Sequence, residues 1–320
     1  MRQCFVALLL IVLSLSGCSP SPKQRITQPP QLQRVQYGPF DEAYRLSNGT
    51  VEVVVVPALG RIMRYGYIGQ RNVLWENLQV AETTRNPSDW QNWGGDKVFV
   101  WPQEEWPKHT GRGWPPAFDP PASPYQVTAI DGGLRMTSPV ISGYDTSIVR
   151  QIHLDSTGTG VTITNLLKRG PNAPVAYPWT ITQIDAPQQV LARVSADAQR
   201  NPWKNFPDHT PWPAPKREGE TIILNRPTDI STKIGLDVDA FAVAYDDLTF
   251  TQHMRFTSPQ PRMLPAAEMG QVYSLADPPT SGPNVLPPYL ELEFAAPHPN
   301  AVMEVKWQLQ PVGHQAFLPR

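Results

Sequence analysis

From residue 43 onward the chain alternates apolar and polar residues in short runs, each closed by Gly, Pro, Asn or Asp. AYRLSNGTVEVVVVP sets Asn48-Gly49 between two such runs, and that dipeptide favours a tight hairpin turn because both residues tolerate positive φ. RIMRYGYI, with Gly60 before it and Gly66 inside it, and then NVLWEN continue the meander. YQVTAIDGGLRMTSP carries a Gly-Gly turn, and TSIVRQIHLDSTGTGVTITNLLKR reads as two alternating strands around Ser-Thr-Gly. Residues 175–185 (VAYPWTITQID), 190–195, 221–234, 240–256, 288–295 and 301–310 complete the set. Helical periodicity is poor nearly everywhere, and no repeat of fixed period is present. Many strands in one long segment predict an all-β domain over residues 39–320, a large antiparallel supersandwich.

Two irregular stretches interrupt the strands, residues 85–124 and 197–219. The first contains WQNWGGDKVFVWPQEEWPKHTGRGW (90–114), which holds five of the ten Trp residues. Polar residues break every apolar run in it, so it is not a buried strand, while a plain surface loop would not expose so much aromatic surface. The second, DAQRNPWKNFPDHTPWPAPKREG, sets Trp203, Phe206 and Trp212 among Pro and polar residues. Long loops this aromatic point to a site, with both expected on one rim. The alternative is that they clamp each other over a sheet edge.

The amino terminus follows other rules. MRQCFVALLLIVLSLSGC has one early charge, Arg2, an apolar run and small residues, the pattern of a secretory signal peptide over residues 1–17. Leu15-Ser16-Gly17-Cys18 resembles the bacterial lipobox, which implies cleavage before Cys18, acylation of that residue and attachment to a membrane. Ser19 after the Cys resembles an outer-membrane sorting signal, so the expected place is the bacterial cell envelope, at the outer membrane facing the periplasm. Residues 18–38, rich in Pro, Gln and Ser, read as a lipidated Cys and flexible tether. Cys4 and Cys18 are the two cysteines, so the mature domain has neither disulfide nor thiol nucleophile. A formal net charge of −1 without a Lys/Arg-rich block argues against nucleic-acid partners. Protein partners are not legible.

The Trp-rich stretch suits a carbohydrate, whose rings offer an apolar C–H face and a rim of hydroxyls. Trp101 and Trp106 are candidate stacking platforms, whereas Trp90 and Trp93 read equally as anchors of the loop. Asn92, Asp96, Lys97 and Gln103 are candidate partners for hydroxyls, and Gly94-Gly95 permits close backbone approach. Against this stands an internal Asp96–Lys97 network that fixes the loop. Trp179, Gln183 and Asp185 alternate along one strand and could line the same pocket. Arg61 and Arg64 read as exposed ion-pairing residues. No His/Asp/Glu cluster has metal-ligand spacing, so neither a metal nor a cofactor is expected.

VEVVVVPALGRIMRYGYIGQRNVLWEN resembles the opening strands of galactose-mutarotase-like (aldose 1-epimerase) domains. NWGGDKVFVWPQEEWP is similar to their Gly-rich substrate loop, VAYPWTITQID to the strand with the catalytic His, and YLELEFAAPHPNA to the late strand with the catalytic Glu. The resemblance spans residues 40–315. It implies ring opening by a His acid and a Glu base, with Glu291 at the Glu position and Glu293 pointing the same way. The sequence departs from the family where the His belongs, since Trp179 or a neighbour stands there. Among the six His, only His109 and His209, on the long loops, are candidate replacements, and solvated loop residues are the competing reading. Three functions follow: a carbohydrate-binding lipoprotein, an epimerase or related sugar-processing enzyme using Glu291, and a structural envelope lipoprotein.

Overall fold

The computed structural model describes residues 29–80, 90–119, 124–196, 198, 202–258, 261–278 and 287–312. The expected signal peptide and Cys18 lie outside the described residues. Among the described residues, twenty strands form two ten-stranded sheets in which every pairing is antiparallel. The first sheet runs β1 (Gln31–Tyr37), β2 (Phe40–Ser47), β3 (Val51–Val56), β4 (Arg61–Tyr67), β5 (Asp96–Trp101), β10 (Tyr177–Asp185), β19 (Tyr289–Ala295), β18 (Gly270–Ser274), β15 (Thr232–Leu236) and β12 (Trp203–Asn205). The second runs β13 (Lys216–Glu218), β14 (Thr221–Asn225), β11 (Gln189–Val194), β16 (Val238–Ala244), β17 (Leu248–Thr257), β20 (Val302–Pro311), β9 (Val161–Arg169), β8 (Thr146–Leu154), β7 (Gly133–Thr137) and β6 (Gln126–Ile130).

The alternating pattern decides which side of each strand is buried. In β20, Met303, Val305, Trp307 and Leu309 enter the core between the sheets, while Glu304, Lys306 and Gln308 face outward. The Asn48-Gly49 turn joins β2 to β3 as the sequence predicts, with Asn48 Oδ1 accepting from the Thr50 and Val51 amides at 2.9 and 3.1 Å. Alternation fails in the middle of the first sheet. β5 is buried at all six positions and β10 at eight of nine, because the long loops cover the face turned away from the second sheet.

Three features differ from the sequence reading. The stretch 90–114, whose broken apolar runs argue against a buried strand, has the buried strand β5 at its centre, because the covering loops bury Asp96 and Lys97 along with the apolar residues. Residues 31–37, expected to belong to the tether, form β1, paired with β2 from Gln31↔Ser47 to Tyr37↔Phe40. An edge strand needs few apolar residues, and Leu32, Val35 and Tyr37 among Gln and Arg are enough. The Trp-rich stretch also contains one turn of helix, α1 (Trp106–Thr110), with Pro in its first turn and Gly111 closing it at φ 79°.

Candidate functional site

Register separates the two faces of the first sheet. Thr182 pairs with Asp96, and both point between the sheets; Ile181 pairs with Lys97, and both point outward. The outward set then continues strand by strand. β5 contributes Lys97, Phe99 and Trp101, and β10 contributes Trp179 and Gln183. Glu291 and Glu293 follow on β19, Tyr273 on β18 and Lys233 on β15. Gln183, Glu291, Tyr273 and Lys233 form one continuous cross-strand row.

This parity reassigns several sequence candidates. Asp96 does not line a ligand site: its carboxylate pairs with Arg150 of β8, across the core, and accepts from Thr182 Oγ1 at 2.8 Å. Trp106 is not a stacking platform but a fully buried core residue, its indole donating to the Val100 carbonyl at 2.8 Å. Arg61 is buried rather than exposed, and bridges the Gly94 carbonyl (2.7 Å) and Asp119 (2.6 Å). Arg64 does form its ion pair, with Glu52 at 2.7 Å, and Asp185 pairs with Arg71 at 2.8 Å. Asn92 turns its Oδ1 to the Gly94 amide at 3.4 Å. Gly94 and Gly95 do serve close approach, but to the backbone of Trp75 and Ile62 rather than to open space. Trp93 packs edge-on against Phe40 and Trp90 donates to Asp119 at 2.9 Å, so both anchor the loop.

The two long loops meet over the outward face, on one rim. Between them lies a cavity of about 240 Å³. Trp101, Gln103, Glu104 and Trp114 supply one wall. Phe206, Asp208 and His209 supply the other, and Lys233 rises from the sheet as floor. The Trp101 ring sits 5.0 Å from Trp179 and 6.2 Å from Phe206, both edge-on, which ties the loops together through aromatic contacts. Trp114 is 53% exposed at the mouth and stacks on Trp106 at 6.3 Å.

Beneath and beside the cavity runs a chain of buried charges. Lys233 Nζ lies 3.0 Å from Glu293 Oε2 and 4.9 Å from the Trp179 ring, and Trp179 Nε1 donates to the same carboxylate oxygen at 2.9 Å. Burial pushes the Glu293 carboxyl up to about 7, with Glu291 adding to the shift while Lys233 opposes it. Gln183 donates to Glu291 Oε1 at 2.8 Å, and Lys97 Nζ stands 3.9 Å from the same atom. Burial, reinforced by Arg61, lowers the Lys97 ammonium to about 8. Trp101 Nε1, Gln183 Oε1, Gln271 Oε1 and Glu293 Oε1 are buried with no hydrogen-bond partner among the described residues. Among those residues no group of three or more His, Cys, Asp and Glu is placed to hold a metal.

The candidate histidines separate. His209 lines the cavity, bonds Asp208 through Nδ1 at 2.9 Å, and sits edge-on to Tyr273 at 6.3 Å, beside Glu291 in the cross-strand row. His109 lies elsewhere, against Tyr144 and Glu105. Of the sequence candidates, Lys97, Trp101, Gln103, Trp179, Gln183 and Glu291 lie on or beside one face, whereas Asp96 and Trp106 point into the core and Asn92 turns back to the Gly94 amide. Lys233 is not among those candidates; its signal in the sequence is a lone Lys inside the apolar strand TKIGL.

No protein-family model and no curated protein matches the chain. Solved structures do resemble it. YeaD from Salmonella typhimurium, to which a mutarotase activity is ascribed, shares 11% identity over 88% of this chain and 94% of its own, at a TM-score of 0.53. The protein HI1317 shares 10% identity over 89% and 97%, at 0.50. The fold is that of the galactose-mutarotase-like sandwiches. At these identities the likeness concerns the fold, and the site stands on its own geometry.

Proposed function

We propose that the protein binds carbohydrate in the cavity between its two long loops. One observation carries this reading: Trp101, Trp114 and Phe206 offer apolar faces to a space that Gln103, His209 and Lys233 border with polar groups. A sugar ring needs that combination, flat surfaces for its C–H face and directional partners for its hydroxyls. We further propose, from the sequence around Cys18, that the domain is held in the cell envelope by acyl chains on that residue, at the outer membrane facing the periplasm. Calorimetry against a panel of neutral and acidic mono- and oligosaccharides tests the binding. Trp114→Ala is expected to weaken any sugar bound by roughly tenfold while leaving the fold intact, since the residue is half in solvent. Binding of no sugar in the panel sinks the proposal and leaves the structural reading. Detergent-phase partitioning that persists in Cys18→Ser sinks the anchor.

A second reading, an acid–base sugar-processing enzyme, has one observation in its favour. His209 of the second loop stands over Tyr273, the register partner of Glu291, so an imidazole and a carboxylate flank one region although the expected strand His is absent. Accelerated exchange of α and β anomers, lost in Glu291→Gln and in His209→Ala, is the expected signature. Exchange at the uncatalysed rate removes this reading.

A further inference from the structure

Two donors, the Trp101 indole and the Lys233 ammonium, lie at the inner end of the cavity. Trp101 is 5% exposed, lines the cavity, and its indole N–H has no partner among the described residues. Lys233, its side chain 8% exposed, lines the same cavity and gives one of its three N–H donors to Glu293. The two groups converge on the same rings. Lys233 Nζ is 4.9 and 5.5 Å from the Trp179 and Phe206 centroids, and the Trp101 ring is 5.0 and 6.2 Å from them. The acidic residues of the cavity stand further out: Glu104 is exposed, and the Asp208 side chain, 74% exposed, is held by His209. Their charges face solvent, which screens them, whereas Trp101 and Lys233 are largely buried.

We propose that this cavity takes a sugar acid, its carboxylate lying between the Lys233 ammonium and the Trp101 indole N–H. The proposal rests on the carbohydrate reading and narrows it to uronic acids or sugars of that charge. A carboxylate has two oxygens for two donors, and a charge-assisted bond to a desolvated ammonium is stronger than one to a hydroxyl. The aromatic walls then face the C–H side of the ring. Room for the added negative charge comes from Glu293. That carboxyl faces Lys233 from β15, Trp179 from β10, Gln271 from β18 and Glu291 on its own strand, with Lys97 of β5 and Tyr273 of β18 within electrostatic reach. Its burial already favours the protonated form, so the bound anion is matched by a proton taken up there, and acid binding weakens as pH rises above 7.

The test is calorimetry on the mature chain with glucuronate, galacturonate, their methyl esters, glucose and galactose, at pH 6 and pH 8. Each free acid is expected to bind about ten- to a hundredfold tighter than its ester at pH 6. Heats that differ between buffers should report proton uptake. Lys233→Met is expected to erase the preference for acid over ester. Glu293→Gln is expected to keep that preference and to remove the loss of affinity at pH 8. If Lys233→Met does not fold, the ester comparison and Glu293→Gln decide alone. Esters or neutral sugars bound as tightly as the acids overturn the proposal and leave the carbohydrate reading standing. Failure of all six sugars, with binding elsewhere in a wider panel, likewise overturns only the proposal; failure of every sugar overturns both.

Discussion

Arg150 on β8 crosses the sandwich to the carboxylate of Asp96 on β5, and its Nη1 also donates to the Asp96 backbone carbonyl at 3.0 Å. Neither side chain is more than 2% exposed, and Asn165 and Thr182 complete the network at 3.1 and 2.8 Å. The pair joins the two sheets directly behind the strand that carries Lys97 and Trp101. Removing one partner leaves an uncompensated buried charge. Asp96→Ala is expected to cost about 3–5 kcal/mol in urea unfolding, and Arg150→Met a similar amount. The double variant should recover a large part, because both charges then leave together. Independent, additive losses would show that the pair does not act as a unit.

Glu293 gives the fold a pH dependence whose sign follows from its shift. Its carboxyl ionises near 4.5 in the unfolded chain and at about 7 when folded, so the folded state holds its proton more tightly. The stabilisation is full below about 4.5 and is lost as pH rises through about 7, an upper bound of roughly 3 kcal/mol. Lys97 acts oppositely in a separate window: its lowered value, about 8, means stability is regained as pH rises from about 8 to 10.5. Urea midpoints measured from pH 4 to pH 10 should fall and then recover. Glu293→Gln should flatten the acid side of that curve, and a curve unchanged by the substitution would refute the assignment.

Trp106 and Trp114 stack on each other yet should respond differently to truncation. Trp106 is fully buried and contacts Phe99, Phe118 and Trp179, so Trp106→Ala removes core volume and is expected to cost about 3–5 kcal/mol. Trp114→Ala at the mouth should change unfolding by well under that and act on sugar affinity instead. Parallel denaturation and binding measurements on the two variants separate core from site. Equal losses of stability in both would contradict the burial difference.

Most of the fold could be read from alternation, because strands such as β20 bury one face and expose the other. β1 was hidden for the opposite reason: an edge strand carries so few apolar residues that its composition resembles a tether. The site was half legible. Trp101, Lys97 and Glu291 could be placed together from the Trp-rich stretch and the resemblance of YLELEF. The place of Asp96 is not legible because adjacent residues on a strand face opposite ways, and only register tells which of Asp96 and Lys97 meets the other sheet; that of Trp106 is not legible because a short helical turn folds its indole back under the strand. Lys233 could not be tied to Glu293, since sixty residues separate them and only the β15–β18–β19 pairing brings them together.

Gly94 shows how closely the loop is fitted to the sheet, and supplies the last test. It has φ 86° and its amide donates to Asn92 Oδ1, while a Cβ added there would meet the Trp75 carbonyl oxygen at 2.2 Å and Glu76 Cα at 2.7 Å. Gly49 has φ 84° in the β2–β3 hairpin, with nothing within 4 Å of an added Cβ. The two positions therefore share the backbone cost of a left-handed L-residue, about 1–2 kcal/mol, and differ only in the steric term. Gly49→Ala is expected to show the backbone cost alone. Gly94→Ala must also push apart the bridge between Glu76 and Gly94, which carries the loop into β5, so it should be the more destabilising of the two. It should also loosen Trp101 and weaken sugar binding, a change Gly49→Ala does not make. Equal stability and equal affinity in the two variants would mean that the loop adjusts freely, and that its seating on Trp75 does not position the site.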